Sequence, residues 1–262
     1  MKANYHTHTQ RCRHASGSEA DYLRHALEAG LDVLGFSDHG PFPDHDFQWR
    51  MLYEELEDHL ETVKRLAEEH AGEIIIRQGL EIEYMPQYRS YYERLIGEGK
   101  VDYLLLGEHL YADGTGRTPY ISEAADTRAN LVYARAIEEG MRTGLFRMVA
   151  HPDFYALNRF AWDDNCEAAA DIIIGAAVET GTVLEMNANG LRKGVCDGYP
   201  EGPRYQYPHR RFWEKAAAAG ARVIVGSDCH DPRQVWDEAV AQAYGMLKEL
   251  GITPLACLED IG

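Results

Sequence analysis

Short runs of β-branched and aliphatic residues alternate along this chain with longer stretches in which apolar residues recur every three or four positions. The short runs predict seven strands, at Tyr5 to Thr9, Leu31 to Ser37, Ile74 to Glu81, Val101 to Leu106, Phe146 to Ala150, Val183 to Asn187 and Arg222 to Ser227. The longer stretches predict helices between them. The first starts at Ser18-Glu19-Ala20-Asp21 and stops at Gly30, and a second runs from Gln48 to Ala71 with Leu52, Leu56, Leu60 and Leu66 on one side. Further helices are expected over 87–96, 123–143, 165–180, 209–219 and 234–250. Pro41 to Phe47 reads as a loop, and the Gly- and Pro-rich segment from Ala188 to Pro208 as a functional loop.

Strand and helix in strict alternation argue for a parallel sheet, and strands covered on both faces read as near-continuous apolar runs, as several do here. The best fit is an α/β fold in the form of a distorted β/α barrel. A doubly wound open sheet is the alternative. The 262 residues can build one large core, so a single domain over 1–262 is expected.

Composition narrows the function classes. Hydrophobic content of 45% with 26% charged residues is ordinary for a globular protein, and no apolar run reaches the ~18 residues of a membrane span. Met1 to Asn4 leads straight into the first strand with no apolar segment ahead, so a cytoplasmic location is expected. A net charge of −17 opposes nucleic acid as a partner but leaves room for a small phosphorylated substrate held by cations and local arginines. The five cysteines are odd in number and widely spaced, which fits a reducing compartment and packing roles. Cys12 and Cys229 merit separate attention because they adjoin the polar residues described next.

Those polar residues fall at strand ends. Strand one yields His6 and His8, which share a face because a strand alternates its side chains, and its loop yields His14. His39 follows strand two, Glu81 ends strand three, His109 follows strand four, His151 strand five, and Asp228 and His230 strand seven. Any one of them has a bland reading as a surface group. Seven histidines and two acids collected where barrel active sites lie point to metal binding. The remaining histidines, His25, His45, His59, His70 and His209, lie on helices or loops and read as surface or capping residues. Imidazole and carboxylate ligands suit zinc, manganese or iron. Nine ligands exceed one tetrahedral ion and match three ions with open positions.

The H-x-H, S-D-H, G-x-E, isolated H, H-P-D and final D-x-H, in that order over essentially the whole chain, resemble the polymerase and histidinol phosphatase (PHP) family. The resemblance implies a distorted (βα)7 TIM-like barrel, a single PHP-type metallophosphoesterase domain with a trinuclear site. It places His6, His8, Glu81 and Asp228 on a first metal, with Glu81 bridging to a second that also takes His109 and His151. His14, His39 and His230 would hold the third. Glu108 departs from the usual smaller residue before the histidine, and Glu83 shares the face of Glu81, so the choice of Glu81 as bridge rests on the resemblance.

Clustered divalent ions carry out metal-assisted hydrolysis, acidifying a bridging water from a pKa of 15.7 toward ~7. In-line attack on a phosphate monoester by metal-bound hydroxide is the expected mechanism, with His6, His8, Glu81, Asp228 and His230 at the catalytic centre. Asp153 or a metal-bound water is the candidate general acid. Arginine grips phosphate through paired hydrogen bonds, which makes Arg159 and Arg192, with Lys193, the expected phosphate clamp. The run Asn187 to Lys193 resembles the histidinol phosphatase branch of the family. Hydrolysis of L-histidinol phosphate is therefore expected, with Asp44 and Asp46 as candidates for contacts to the substrate's imidazole and amine. The alternatives are another PHP phosphoesterase acting on nucleotides or a different small phosphate ester, and a catalytically silent metal-binding module.

Overall fold

A computed structural model describes residues 1–258. Seven parallel strands pair in sequence order: β1 (Ala3–Asn4), β2 (Val33–Phe36), β3 (Ile75–Ile82), β4 (Tyr103–Leu106), β5 (Met148–Val149), β6 (Val183–Asn187) and β7 (Val223–Gly226). A parallel bridge between Thr7 and Cys229, with the His8 amide donating to the Cys229 carbonyl at 3.0 Å, brings β7 back to the first strand. The sheet is thereby a nearly closed (βα)7 barrel, and the open doubly wound alternative is excluded.

Among the described residues eight α-helices accompany the strands: α1 (Glu19–Glu28), α2 (Leu56–Glu69), α3 (Arg89–Gly97), α4 (Arg128–Arg142), α5 (Asp164–Thr180), α6 (Ala188–Arg192), α7 (Arg210–Ala218) and α8 (Glu238–Glu249). Local chemistry sets several starts. Ser18 caps α1 in a reciprocal box with Asp21, and the Asp163 and Asp237 side chains cap α5 and α8. The second helix begins later than the leucine spacing suggests. Residues 48–52 are irregular, because Gln48 and Trp49 take positive φ and Arg50 turns inward to an acid. The loop expected after β6 opens with the short helix α6.

The core lies in two layers. Outside the strands, Leu80, Leu104, Leu106, Val149, Leu184 and Val225 pack under the helices. Inside the barrel, Tyr5, Val33, Tyr103, Leu105, Met148, Val183 and Ile224 form a separate apolar plug. Each such side chain contributes roughly 1.5–3 kcal/mol by burial. The plug fills the interior below the strands' C-terminal ends, so the polar residues that follow it in each strand open onto the loops. Among the described residues no helix is long and apolar enough to cross a membrane.

Candidate metal centre

All nine strand-end residues converge. His6 and His8 lie just beyond β1, and the alternation holds there: Thr7 turns away to donate to the Gly35 carbonyl at 2.8 Å. His6 Nε2 and His8 Nε2 come within 3.0 Å of each other. Glu81 Oε2 is 3.4 Å from both nitrogens, and Asp228 Oδ1 is 3.6 and 3.1 Å from them. The other oxygen of Glu81 lies 2.9 Å from His151 Nε2 and 3.7 Å from His109 Nε2. His14 Nε2 and His230 Nε2 are 2.9 Å apart, and His39 places Nδ1 2.9 Å from Glu81 Oε2 while its ring stacks on His8. A cavity of about 440 Å³ opens over His14, His39, His109, His151, Asp228 and His230.

Behind the inner nitrogens stands a layer of acceptors. His6 donates Nδ1–H to Glu185 at 2.7 Å, His109 to Glu83 at 3.1 Å, His14 to the Cys12 carbonyl at 2.8 Å and His230 to the Asp228 carbonyl at 3.3 Å. Such partners fix the tautomer and aim the second nitrogen inward. Glu185 also accepts from the His151 amide and from Asn187 Nδ2, and Asp228 Oδ2 accepts from Asn187 and Asn189. Two glycines make room. A Cβ on Gly107 would lie 2.2 Å from Glu81 Oε1, and one on Gly226 would lie 1.7 Å from Glu185 Oε1. His151 and Asp228 themselves sit at positive φ, 28° and 47°, an unusual setting for residues with a Cβ.

The donor set fits divalent cations. With Nδ1–H of His14 and of His230 committed to carbonyls, two neutral rings face lone pair to lone pair at 2.9 Å. That approach is repulsive unless a proton or a cation lies between the nitrogens. Burial disfavours protons here: it lowers the pKa of His14 and His39, and takes His230 down to about 3. Neutral imidazole is the ligating form. At His6 burial also opposes charge, but Glu185, Asp228 and Glu81 outweigh it and raise the pKa. Burial pushes the carboxyls of Glu81 and Asp228 up, yet the surrounding imidazoles hold both well below the usual range, so both are anionic. Several triads, among them His6–His8–Glu81, His6–His151–Asp228 and His8–His39–His230, bring their donor atoms within 4.8 Å of one another.

Other expected site residues are placed differently. Arg192 is half-buried and spent: Nε donates to Asp237 at 2.7 Å, and its terminal nitrogens to Ser227 at 3.2 Å, tying α6 to the cap of α8. Arg159 is exposed and packs beside Gly198. Neither borders the cavity, because the loop after β6 folds as a helix that turns Arg192 toward α8. Lys193 does border it, and donates Nζ to the Tyr207 hydroxyl at 3.2 Å. Asp153 is buried, its pKa pushed by burial to about 6, and it accepts from the His209 amide and the Trp213 indole. It braces the start of α7 and does not line the cavity. Glu108 does not crowd the site either. It is buried outside the cavity lining, and burial raises its pKa well above the ordinary value. His59, read as a surface or capping residue, is instead buried and paired with Glu19 at 2.9 Å, whereas His209 does stand at the N-cap position of α7, buried and stacked on Trp162.

Sequence reasoning missed Glu185, Arg50 and the outer role of Glu83. An acid inside the apolar run Val-Leu-Glu-Met was the available signal for Glu185. Arg50, 2% exposed, grips Glu83 through two hydrogen bonds of 2.7 and 3.0 Å. Burial opposes the Glu83 charge, but Arg50 and His109 hold its pKa far below the ordinary value.

The thiols near the centre are inert by the same physics. Burial pushes Cys12 and Cys229 up to about 12, so neither is a thiolate at neutral pH. Cys196 is the partly exposed cysteine, and the other four are buried. Native protein at pH 8 is expected to react with a disulfide reagent such as DTNB at Cys196 alone, and at all five positions in denaturant. Rapid labelling of Cys12 or Cys229 in the native state, located by peptide mass, would contradict this burial.

The chain is similar to several known proteins. The family described as "PHP domain" matches residues 4–189. A probable histidinol-phosphatase of Deinococcus radiodurans is 31% identical over 88% of this chain and 86% of that protein. A histidinol-phosphatase of Bacillus subtilis is 22% identical over 90% of this chain and 96% of its own length. Among solved structures, the histidinol phosphate phosphatase of Lactococcus lactis, complexed with zinc, L-histidinol and phosphate, superposes with a TM-score of 0.74 at 18% identity. The match covers 97% of this chain and 95% of that one.

Proposed function

This chain belongs to the PHP domain family, and from that premise we propose that it is a metal-dependent phosphomonoesterase that converts L-histidinol phosphate to L-histidinol and phosphate. The observation that carries the reading is the convergence of seven imidazoles and two carboxylates from six strand ends, six of these groups lining one cavity and His6, His8 and Glu81 in contact with them. The relatives named above supply the substrate. The whole of 1–262 acts as one domain in this reading, in the cytoplasm.

His6, His8, Glu81 and Asp228 would hold one ion, Glu81 with His109 and His151 a second, and His14, His39 and His230 a third. Of these, His39 is the least regular, because its Nδ1 faces Glu81. Zinc, manganese or iron in such sites supplies Lewis acidity that acidifies water and neutralises phosphoryl charge. The chain's own groups do the rest. Glu185, Glu83 and the Cys12 carbonyl orient the imidazoles. Asn187 and Asn189 hold Asp228 from behind. Lys193 and Tyr207 border the cavity, Nζ donating to the phenolic oxygen, and in this reading they would meet a phosphate and a leaving oxygen as a cation and a proton-bearing group. This shifts the phosphate contact from Arg192 and Arg159 to Lys193.

The test is a substrate panel on metal-replete enzyme. L-Histidinol phosphate is expected to exceed nucleoside monophosphates in kcat/KM by at least ~100-fold. Equal or faster turnover of nucleotides would overturn the substrate, and no turnover of any ester by metal-loaded protein would overturn the activity.

A further inference from the structure

The segment between His39 and Met51 leaves the candidate metal centre and returns to it, the Met51 amide donating to the His39 carbonyl at 3.2 Å. Its tip carries Trp49, 56% exposed although it borders the cavity. Gln48 and Trp49 stand consecutively at positive φ, 65° and 52°. Left-handed backbone is unfavourable for residues with a Cβ, and turns that need it only for chain reversal use Gly or Asn. The conformation is held from several sides. Arg13 donates to Asp46 at 2.6 Å and to the Arg50 carbonyl at 2.8 Å, Asp46 accepts from the Gln48 amide, and Arg50 is locked onto Glu83. Packing of the loop itself is done by Phe42 and Phe47 around Arg50. Trp49 contributes little to it, so a strained, braced backbone serves to hold an indole at the cavity's edge.

The cavity is chemically divided. Its floor is the cluster of imidazoles and Asp228, and its walls carry Trp49, Tyr120, Phe154 and Tyr207. Trp49 meets the edge of the floor through His14, ring centroids 6.0 Å apart and nearly perpendicular. The two acids expected to read the rest of the substrate are engaged elsewhere, Asp46 as described and Asp44 with the Tyr88 hydroxyl. We propose that Trp49 is a specificity-determining residue, the surface on which a flat heteroaromatic ring of the leaving alcohol stacks while its phosphoryl group occupies the floor. The inference rests on the phosphomonoesterase reading above and adds to it the residue that selects a ring-bearing ester over a ring-free one.

Selectivity is read as the ratio of kcat/KM for L-histidinol phosphate to that for glycerol 3-phosphate, in wild type, W49A and W49F, all metal-loaded. Loss of one stacked aromatic contact with its buried area predicts a fall in the ratio of roughly 10- to 50-fold for W49A, and of less than ~5-fold for W49F. Calorimetric titration with L-histidinol is expected to show the same order of affinities without turnover. If wild type prefers the ring-bearing ester and W49A keeps the full preference, the role of Trp49 is overturned and the activity stands. If wild type hydrolyses both esters equally well, there is no preference to assign, and this inference falls together with the substrate reading.

Discussion

Glu81→Gln is expected to lower kcat/KM for phosphate release by at least ~10³-fold, a loss of roughly 4 kcal/mol of transition-state stabilisation, and to reduce the metal bound per chain. The substitution changes charge and hardly changes shape. Oε2 of Glu81 faces His6, His8 and His39, and Oε1 faces His151 and His109, so one carboxylate serves five imidazoles. An amide presents one acceptor where the carboxylate presents two, and its NH2 points a donor at nitrogens that must themselves accept or ligate. Neither Glu83 nor Glu185 can substitute, because Glu83 is committed to Arg50 and Glu185 to His6, and Asp228 reaches only His6 and His8 of the five. Metal content by elemental analysis and phosphate release would be measured on the same preparation. Wild-type metal and turnover in this variant would remove Glu81 from the centre.

Glu83→Ala should destabilise the protein more than any other single change to the site's supports. Arg50 and Glu83 are both almost fully buried, 2% and 0% exposed, and the substitution leaves a guanidinium charge without its counter-charge. Breaking such a pair costs about 3–5 kcal/mol. For a chain of this size that corresponds to a fall in Tm of roughly 6–20 °C. Thermal unfolding of metal-stripped protein isolates this effect. A second effect follows on metal binding. His109 loses the acceptor of its Nδ1–H, and loss of an outer partner typically weakens metal affinity ~10–100-fold. The double variant Arg50→Met/Glu83→Leu should recover much of the stability but none of the affinity, since it removes the stranded charge and not the defect at His109. A Tm within 2 °C of wild type for Glu83→Ala would show that the pair does not carry the load its burial implies. Because Arg50 also anchors the loop bearing Trp49, one ion pair supports both a candidate ligand and the aromatic wall.

Much of this centre is legible along the chain because parallel strands in βα alternation all end on the same side of the barrel. A polar residue at the close of an apolar run is thereby assigned to the site without knowledge of any contact. The two-residue period explains why His6 and His8, and equally Asp228 and His230, arrive in pairs. The rule does not separate Glu81 from Glu83, because the two-residue period puts both on one face. What separates them is Arg50, a residue 33 positions away whose approach depends on the irregular segment before α2. Arg192 is the opposite case. Its loop opens toward the site, but the short helix α6 rotates the guanidinium onto Asp237, 45 residues downstream.

The order and spacing of strands, the barrel class, the nine convergent donors and the membership of a family were determined by the amino-acid sequence itself, since each depends on local periodicity and on the shared direction of the strands. Only the tertiary structure decided which carboxylates face inward and which stand behind, that Lys193 rather than Arg192 borders the cavity, and that Trp49 is held at its edge. Those outcomes depend on hydrogen bonds and ion pairs between residues tens to hundreds of positions apart. Such bonds depend on distances and angles of a few ångströms that close only when the barrel does, and nothing in the local pattern encodes them.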